Sequence, residues 1–576
     1  MRGVDATLAG LKQAGIDSIF GIPGGPVIPL FDALSDDPDI KTYLTRHEQG
    51  AGHMAQGYAK VTGRAAVCTG TSGPGATNLV TPIADAYMDS VPMVALTGQV
   101  GSTRVGTDAF QEADIVGITL PIVKHSYLIK KVEDLPGAIA EAVHIAETGR
   151  PGPVLVDVCV DVWGQDIEAY SGPYPPQIPG YQPPSGAGHP RQIAAAAAAI
   201  AAAKKPVIYA GGGIIHSSAS EELLRVAEVT GMPVTTTLMG LGGFPSSHRQ
   251  WVGMPGMHGI AAATWAFQES DLVLAIGVRF DERVLSTVMH EWAPGAKIIH
   301  IDVDPAEISK NRAAHIGIAA EAKAALGALA EAYVAQGARH DEAERSAWLS
   351  KVDKWKADFP YEVDTNTEGA IPPQHVIKKI YEITRGQAII ATDVGQHQMF
   401  AAQHYLFDRP RRWLTSGGLG TMGFGLPSAL GAQVALGRDE LVIDIAGDGS
   451  FEMTLQELST AQMYDLPVKV VILNNGYLGM VRQWQEMFWE SRYSGTSYAA
   501  FQPSFENIAK AYGMPGVTIT QEADLEDALR ETFAHDGPAL IDVRTHEFAK
   551  VFPMVPQGKG PDAMIVGEAG AVPRPE

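Results

Sequence analysis

The sequence predicts an α/β protein of three domains, each a mostly parallel sheet flanked by helices. Three observations carry that expectation. The chain has 576 residues, and at roughly 150 residues per domain that length suggests three or four units. Short apolar runs of strand length alternate with segments of helical period along most of the chain, as in parallel sheets buried on both faces. Finally, glycine-rich and polar turns close several of these runs, and open α/β sheets bind ligands outside the carboxyl ends of their strands.

The first domain, 1–170, opens on an amphipathic segment at 4–15. Strands are expected at 18–21, 65–69, 93–97 and 154–158, with helices at 49–62 and 78–88. Residues 171–190, dense in Pro and Gly and without periodicity, read as a linker. The second domain, 191–340, opens on an almost pure alanine run. Helix propensity and the Lys204-Lys205-Pro206 that follows make it a helix ending there. Its strands are expected at 207–210, 234–237, 272–276 and 298–301. A helix-rich connection, 341–370, leads to a third domain, 371–546, with strands at 388–392, 441–446, 468–473 and 539–543. Residues 547–576, rich in Gly and Pro, read as a loosely attached tail. The first and third domains share size and strand spacing, which hints at pseudo-symmetry.

Hydrophobic content of 45% with 19% charged residues is that of globular protein, and the formal net charge of −22 argues against nucleic acid or an anionic membrane surface as partner. Only Cys68 and Cys159 are present, both in apolar runs, so neither a disulfide framework nor a CxxC metal site is available. No signal-like amino end and no long apolar span stand out. The expectation is a reduced, cytoplasmic protein.

The most informative stretch is 447–475. Gly447-Asp448-Gly449 closes one strand, Asn474-Asn475 closes the next, and the helical segment 453–464 lies between them. One carboxylate and one amide oxygen at neighbouring strand ends are hard donors suited to Mg²⁺. The glycines let backbone N–H groups approach a diphosphate. Val394-Gly395-Gln396-His397 ends another strand with amide and imidazole donors. Glu48 heads a helix in TRHEQGAGHMAQGYAK; read alone, it is a carboxylate favoured there by the helix dipole. TSGPGATN at 71–78 is a strand-to-helix turn, Met422 reads as a core methionine, and Trp484 is as much a buried helix-face aromatic as a ligand contact. No GxGxxG fingerprint accompanies Gly211–Gly213.

Taken together, GDGSF at 447–451, MTLQEL at 453–458 and NNGYLGMVRQWQ at 474–485 resemble the thiamine diphosphate enzymes and, within them, the acetohydroxyacid synthase (acetolactate synthase) catalytic subunits. The resemblance runs in order from FGIPGG at 20–25 to PMVP at 553–556. It implies thiamine diphosphate, Mg²⁺ and FAD as cofactors. Glu48 would activate the thiamine aminopyrimidine, with Gly25, Gln111 and Lys124 near the reacting centre. Gly75, Asn78, Val394, Gly395, Gln396, His397, Gly420, Met422, Gly449, Ser450, Leu478 and Gly479 would line the cofactor. Asp448, Asn475 and Tyr477 would hold the metal.

For the flavin the resemblance implies Arg150, Gly212, Gly213, Thr237, Leu238, Met257, His258, Gly277, Arg279, Asp281, Arg283, Asp302 and Val303. Phe110, Gln111, Lys124, Arg283, Met480, Val481 and Trp484 would line a channel for pyruvate and 2-oxobutyrate. Trp484 is the most discriminating of these. A homodimer or homotetramer is implied, with sites between the first domain of one subunit and the third of another, and a regulatory small subunit is a possible partner. The implied reaction is decarboxylation of pyruvate and transfer of its two-carbon unit to a second 2-oxo acid, the common step of branched-chain amino acid synthesis. An FAD-dependent pyruvate oxidase, or another thiamine diphosphate carboligase or decarboxylase, is the alternative. Glu282 (Asp is usual), Cys159-Val160 (Pro-Lys is usual) and the PQGKG tail depart from the family pattern.

Overall fold

Three six-stranded, wholly parallel sheets stand in series along the chain in the computed structural model, which describes every residue except 169–172, 338–339, 364–366, 368, 499, 569, 573 and 576. Part of the expected linker and part of the expected connection therefore lie outside the described residues.

In the first sheet the strands are β1 (Ser18–Gly21), β2 (Lys41–Leu44), β3 (Ala66–Gly70), β4 (Met93–Gln99), β5 (His125–Ile129) and β6 (Pro153–Cys159), in the order β2-β1-β3-β4-β6-β5. The second holds β7 (Pro206–Ala210), β8 (Val234–Thr236), β9 (Trp251–Gly253), β10 (Leu272–Ile276), β11 (Lys297–Asp302) and β12 (Ile316–Ala319), ordered β9-β8-β7-β10-β11-β12. The third holds β13 (Ile389–Thr392), β14 (Trp413–Leu414), β15 (Val442–Gly447), β16 (Lys469–Asn474), β17 (Gly516–Ile519) and β18 (Ala539–Arg544), ordered β14-β13-β15-β16-β18-β17. The first and third sheets thus have one strand order, 2-1-3-4-6-5, and the pseudo-symmetry is real. The middle sheet has the doubly wound dinucleotide-binding order, 3-2-1-4-5-6. In each sheet the order reverses at one point, between β1 and β3, β7 and β10, and β13 and β15. Those crevices are where such sheets bind ligands.

The alanine run folds as the helix Pro190–Ala202. Pro190 starts it, the His189 side chain accepts from the Arg191 N–H, and Ile193, Ala196, Ala197 and Ile200 form the buried stripe. The helix Glu342–Asp358 is more than a connection, because Trp348 and Trp355 are buried in the second core. The tail also differs from expectation. Val551, Met554, Met564 and Val566 are buried, Met554 and Ile565 exchange backbone hydrogen bonds, and the Val555 N–H donates to the Met257 carbonyl. These apolar residues strap the tail across the second domain, so it is not loosely attached.

The first and third domains meet where helix Glu48–Thr62 crosses helix Gly425–Leu436. Backbone touches backbone there: a Cβ on Gly57 would lie 1.9 Å from the Ser428 carbonyl oxygen, and one on Gly431 1.8 Å from that of Met54. Only glycine permits this approach.

Candidate active site

The third domain's reversal point holds an open cleft, at the strand ends where such sheets bind ligands. Val394, Gly395, Gln396 and His397 line it from the turn after β13, Gly447 to Ser450 from the end of β15, and Asn475, Tyr477, Leu478 and Gly479 from the end of β16. Met422 lines it too, while Gly420 sits behind, 3.8 Å from the Val394 side chain when given a Cβ. The sequence-derived set is therefore brought together by adjacent parallel strands, in which Gly447 pairs with Leu473.

A few polar groups stand in a largely apolar cleft. His397 is buried, its Nε2 meets no partner, and burial holds its pKa down at about 3, so the imidazole is neutral. Burial, with Asp542 adding to it, pushes Asp448 up to about 7 against the backbone donors that lower it. A bound cation would reverse that. Asn475 accepts from the Tyr477 N–H at 3.1 Å and donates to Gln396 Oε1 at 3.2 Å. A Cβ on Gly447 would strike His397, one on Gly449 the Tyr498 hydroxyl, and one on Gly479 the Gln396 amide. Backbone therefore forms the cleft wall where side chains would close it.

Glu48 does not line this cleft. It lies in the first domain, where Asn78 Nδ2 donates to its Oε2 at 2.9 Å and Gly75 stands against its other oxygen. Glu48 is buried. Its helix start is tied to the third domain of the same chain: Glu457 accepts from the Arg46 and His47 N–H groups and from the Thr460 hydroxyl. The two turns at the first reversal point pack together beside Glu48. Gly24 packs on Thr71, and Gly73 on Gln111, whereas a Cβ on Gly25 would meet nothing within 4 Å. Phe110 is 89% exposed beside them. Within the single chain, Glu48 and the third-domain cleft therefore share no lining.

Helix Gly479–Phe488 connects the diphosphate-type cleft to a second one. Met480 and Val481 line the first. One turn on, Trp484 lines the second with Met257, Arg283, Val555 and Pro561. Arg283 reaches the Met257 sulfur at 3.5 Å. Lys124, Phe110 and Gln111, expected in this channel, line neither cleft of the single chain. The Lys124 ammonium donates to the Ile145 and Thr148 carbonyls and the Tyr181 hydroxyl, and burial followed by Arg150 lowers its pKa to about 8. It caps the end of helix Leu135–Glu147.

In the middle sheet the turns after β7 and β10 touch, with Gly213 and Gly277 so close that a Cβ on either would lie 2.6 Å from the other's Cα. Gly212 shares that turn, and Thr237 and Leu238 follow β8. Asp302 ends β11, pushed up to about 6 chiefly by burial, with Val303 next to it. Arg150 crosses from the first domain to Glu307 at 2.8 Å. His258 meets the Pro553 carbonyl, Asp281 accepts from the Arg283 N–H, and the Arg279 carbonyl accepts from Asn311. These residues rim the reversal point and the tail strap.

Models of three domains described as "Thiamine pyrophosphate enzyme" match in order: the N-terminal TPP binding domain over 1–118, the central domain over 193–329 and the C-terminal TPP binding domain over 393–543. The chain is 49% identical to an acetolactate synthase of Mycobacterium bovis, over 98% of this chain and 91% of that one. It is 49% identical to the acetolactate synthase large subunit of Corynebacterium glutamicum (97% and 89% covered) and 44% to that of Haemophilus influenzae (99% and 98%). The chain belongs to the acetolactate synthase large-subunit family.

Members of the acetolactate synthase family are thiamine diphosphate enzymes, and this chain's third-domain cleft fits that cofactor through its glycine walls and the buried, unpartnered Nε2 of His397. Among the described residues no cluster of three or more His, Cys, Asp or Glu could hold a metal alone. Asp448 and Asn475 suit Mg²⁺ that completes its shell with diphosphate oxygens and water. Several residues at this acetolactate synthase site escaped sequence reasoning: Gln502, Tyr498, Glu457 and the buried carboxylates Asp393 and Asp444. Each acts through a contact distant in sequence, and although Glu457 sits within MTLQEL, no local pattern gives its role.

Proposed function

We propose that this chain catalyses acetolactate synthase chemistry: pyruvate loses CO₂ and its two-carbon unit joins the carbonyl carbon of a second 2-oxo acid. Pyruvate as acceptor gives 2-acetolactate, and 2-oxobutyrate gives 2-aceto-2-hydroxybutyrate. The reaction has no net redox change. The observation that carries the reading is the continuity of the two clefts along one helix, from Asp448 and Asn475 past Met480 and Val481 to Trp484 and Arg283.

Thiamine diphosphate, when bound, supplies the electron sink for decarboxylation. The chain's own residues bind, orient and exclude water. Asp448, Asn475 and the main-chain oxygen of Tyr477 are the proposed Mg²⁺ ligands. Neutral His397 and the N–H groups around Gly395 and Gly449 receive the diphosphate. Glu48, held by Asn78, would exchange a proton with the aminopyrimidine of the bound cofactor. Gln111 and Gly25 border the reacting centre, Arg283 faces the acceptor carboxylate, and Trp484 forms the apolar wall for its side chain. FAD is the proposed ligand of the middle domain, supported by its strand order and the Gly213–Gly277 contact.

Because Glu48 and the Asp448 cleft are separate within one chain, we place the working site between two copies, Glu48 from one and Asp448 from the other. Trp484 and Arg283 then favour pyruvate and 2-oxobutyrate as substrates. A small regulatory subunit and a cytoplasmic location complete the reading. No helix among the described residues is long and apolar enough to cross a membrane.

Product analysis tests the reading. With thiamine diphosphate, Mg²⁺ and FAD supplied, pyruvate plus 2-oxobutyrate should yield both acetohydroxy acids while flavin absorbance stays constant. Acetate or acetyl phosphate with a bleached flavin would mean an oxidase and overturn it.

A further inference from the structure

Gln502 lies in the irregular segment before helix Phe505–Ala511, and its amide is fully committed. Nε2 donates to Asp448 Oδ2 at 2.7 Å and to Asn474 Oδ1 at 2.9 Å. Oε1 accepts from the Arg544 guanidinium. Arg544 is also 3.1 Å from Asp542 Oδ2, and Asn474 Nδ2 donates to Asp542 Oδ1 at 2.9 Å. The guanidinium cannot accept, so the amide oxygen must face Arg544 and the amide has one orientation. Its partners stand at the carboxyl ends of β15, β16 and β18, three neighbouring strands. Gln502 therefore closes a polar ring across the sheet edge that carries the metal-type donors.

We infer that Gln502 is a positioning residue for the metal site, holding one oxygen of Asp448 so that the carboxylate presents the other in a fixed plane. The inference rests on the proposed Mg²⁺ role of Asp448. The amide does what a charge-assisted donor behind a ligating carboxylate does: it removes a rotational freedom the ligand would otherwise lose on binding metal. Arg544 and Asp542 act one step further back, fixing the amide. No feature of the sequence around Gln502 announces this, since it is a single glutamine in a Pro-flanked loop.

The test is Mg²⁺-dependent binding of thiamine diphosphate to the full chain freed of metal, followed by calorimetry. In Gln502→Leu the Mg²⁺ concentration for half-maximal binding should rise about 10- to 100-fold, with the bound amount at saturating Mg²⁺ unchanged. Thermal unfolding of the metal-free protein should move little. Gln502→Met, which keeps the length of the side chain, should behave the same way and serves if the leucine variant misfolds. A half-saturation within twofold of the unmodified protein, with a lowered metal-free unfolding temperature, would mean that Gln502 only ties the loop down, and would overturn the inference. If the unmodified protein itself bound thiamine diphosphate without any need for Mg²⁺, the metal-site reading would fail first.

Discussion

Gly431→Ala tests whether the contact between the first and third domains sets the site's geometry. The new Cβ would lie 1.8 Å from the Met54 carbonyl oxygen, where ordinary contact begins at 3.4 Å. The obstacle is backbone, so no rotamer change relieves it, and helices Glu48–Thr62 and Gly425–Leu436 must part by about 1.6 Å or tilt. Overpacking of this kind costs about 1–3 kcal/mol, and for domains of this size each kcal/mol shifts Tm by about 2–4 °C. The displaced helix carries Glu48, and a misplacement of about 1 Å at a reacting group can lower turnover about 100-fold. Gly57→Ala meets the Ser428 carbonyl at 1.9 Å and should do the same. Gly137→Ala is the control: it lies within helix Leu135–Glu147, its Cβ would meet nothing within 4 Å, and it should stabilise by about 0.5–1 kcal/mol. Thermal unfolding and steady-state acetolactate formation read both effects. A Gly431→Ala protein with unchanged Tm and full turnover would refute the reasoning.

Glu48→Gln is isosteric and keeps an acceptor for Asn78, so thiamine diphosphate binding should persist while turnover falls at least about 100-fold; near-normal turnover would remove its proton-exchange role. Trp484→Leu should lower the preference for 2-oxobutyrate by an amount on the order of 1–3 kcal/mol, read as the ratio of the two products, with equal losses counting against an acceptor wall. Gly277 has φ of +57° and its Cβ would lie 2.6 Å from the Gly213 Cα, so Gly277→Ala should purify without flavin absorbance while still binding thiamine diphosphate. Burial pushes Asp393 up to about 7 and Asp444 well above the usual carboxylate range, Asp393 adding to the latter. Both ionise near 3.9 when unfolded. Between about pH 4 and 7 the native state thus holds protons that the unfolded state has released, and stability falls as pH rises. Asp444→Asn should flatten that slope in thermal unfolding of the metal-free protein, and an unchanged slope would exclude the pair as its source.

The sequence-based reading of the fold succeeded and failed along one physical line. The twelve inner strands are almost wholly buried, and each was expected. Apart from the short antiparallel pair Ile565–Gly567 and Gly570–Ala571 in the tail, the strands it missed, β2, β5, β9, β12, β14 and β17, are the two edges of each six-stranded sheet. Edge strands such as Lys41–Leu44 and His125–Ile129 are half-exposed, and β14 is two residues long, so their composition gives no run to find. The tail looked loose because Pro and Gly mask the scattered residues Val551, Met554 and Val566 that anchor it. At the site, the diphosphate half was legible because one crossover brings its residues together. Lys124 was visible as a cation, but nothing local showed that backbone carbonyls already hold it. Glu457 and Gln502 meet partners hundreds or tens of residues away, which no spacing rule reaches.

Mixing two inactive chains tests most directly whether each working site is shared between copies. Glu48→Gln and Asp448→Ala chains, each inactive alone, would be unfolded together and refolded at equal ratio. If Glu48 of one copy serves the Asp448 cleft of the other, each mixed dimer has one intact site, and random pairing should restore about a quarter of the unmodified acetolactate-forming activity. If Glu48 and Asp448 act within one chain, every site keeps one lesion, and the mixture would remain inactive.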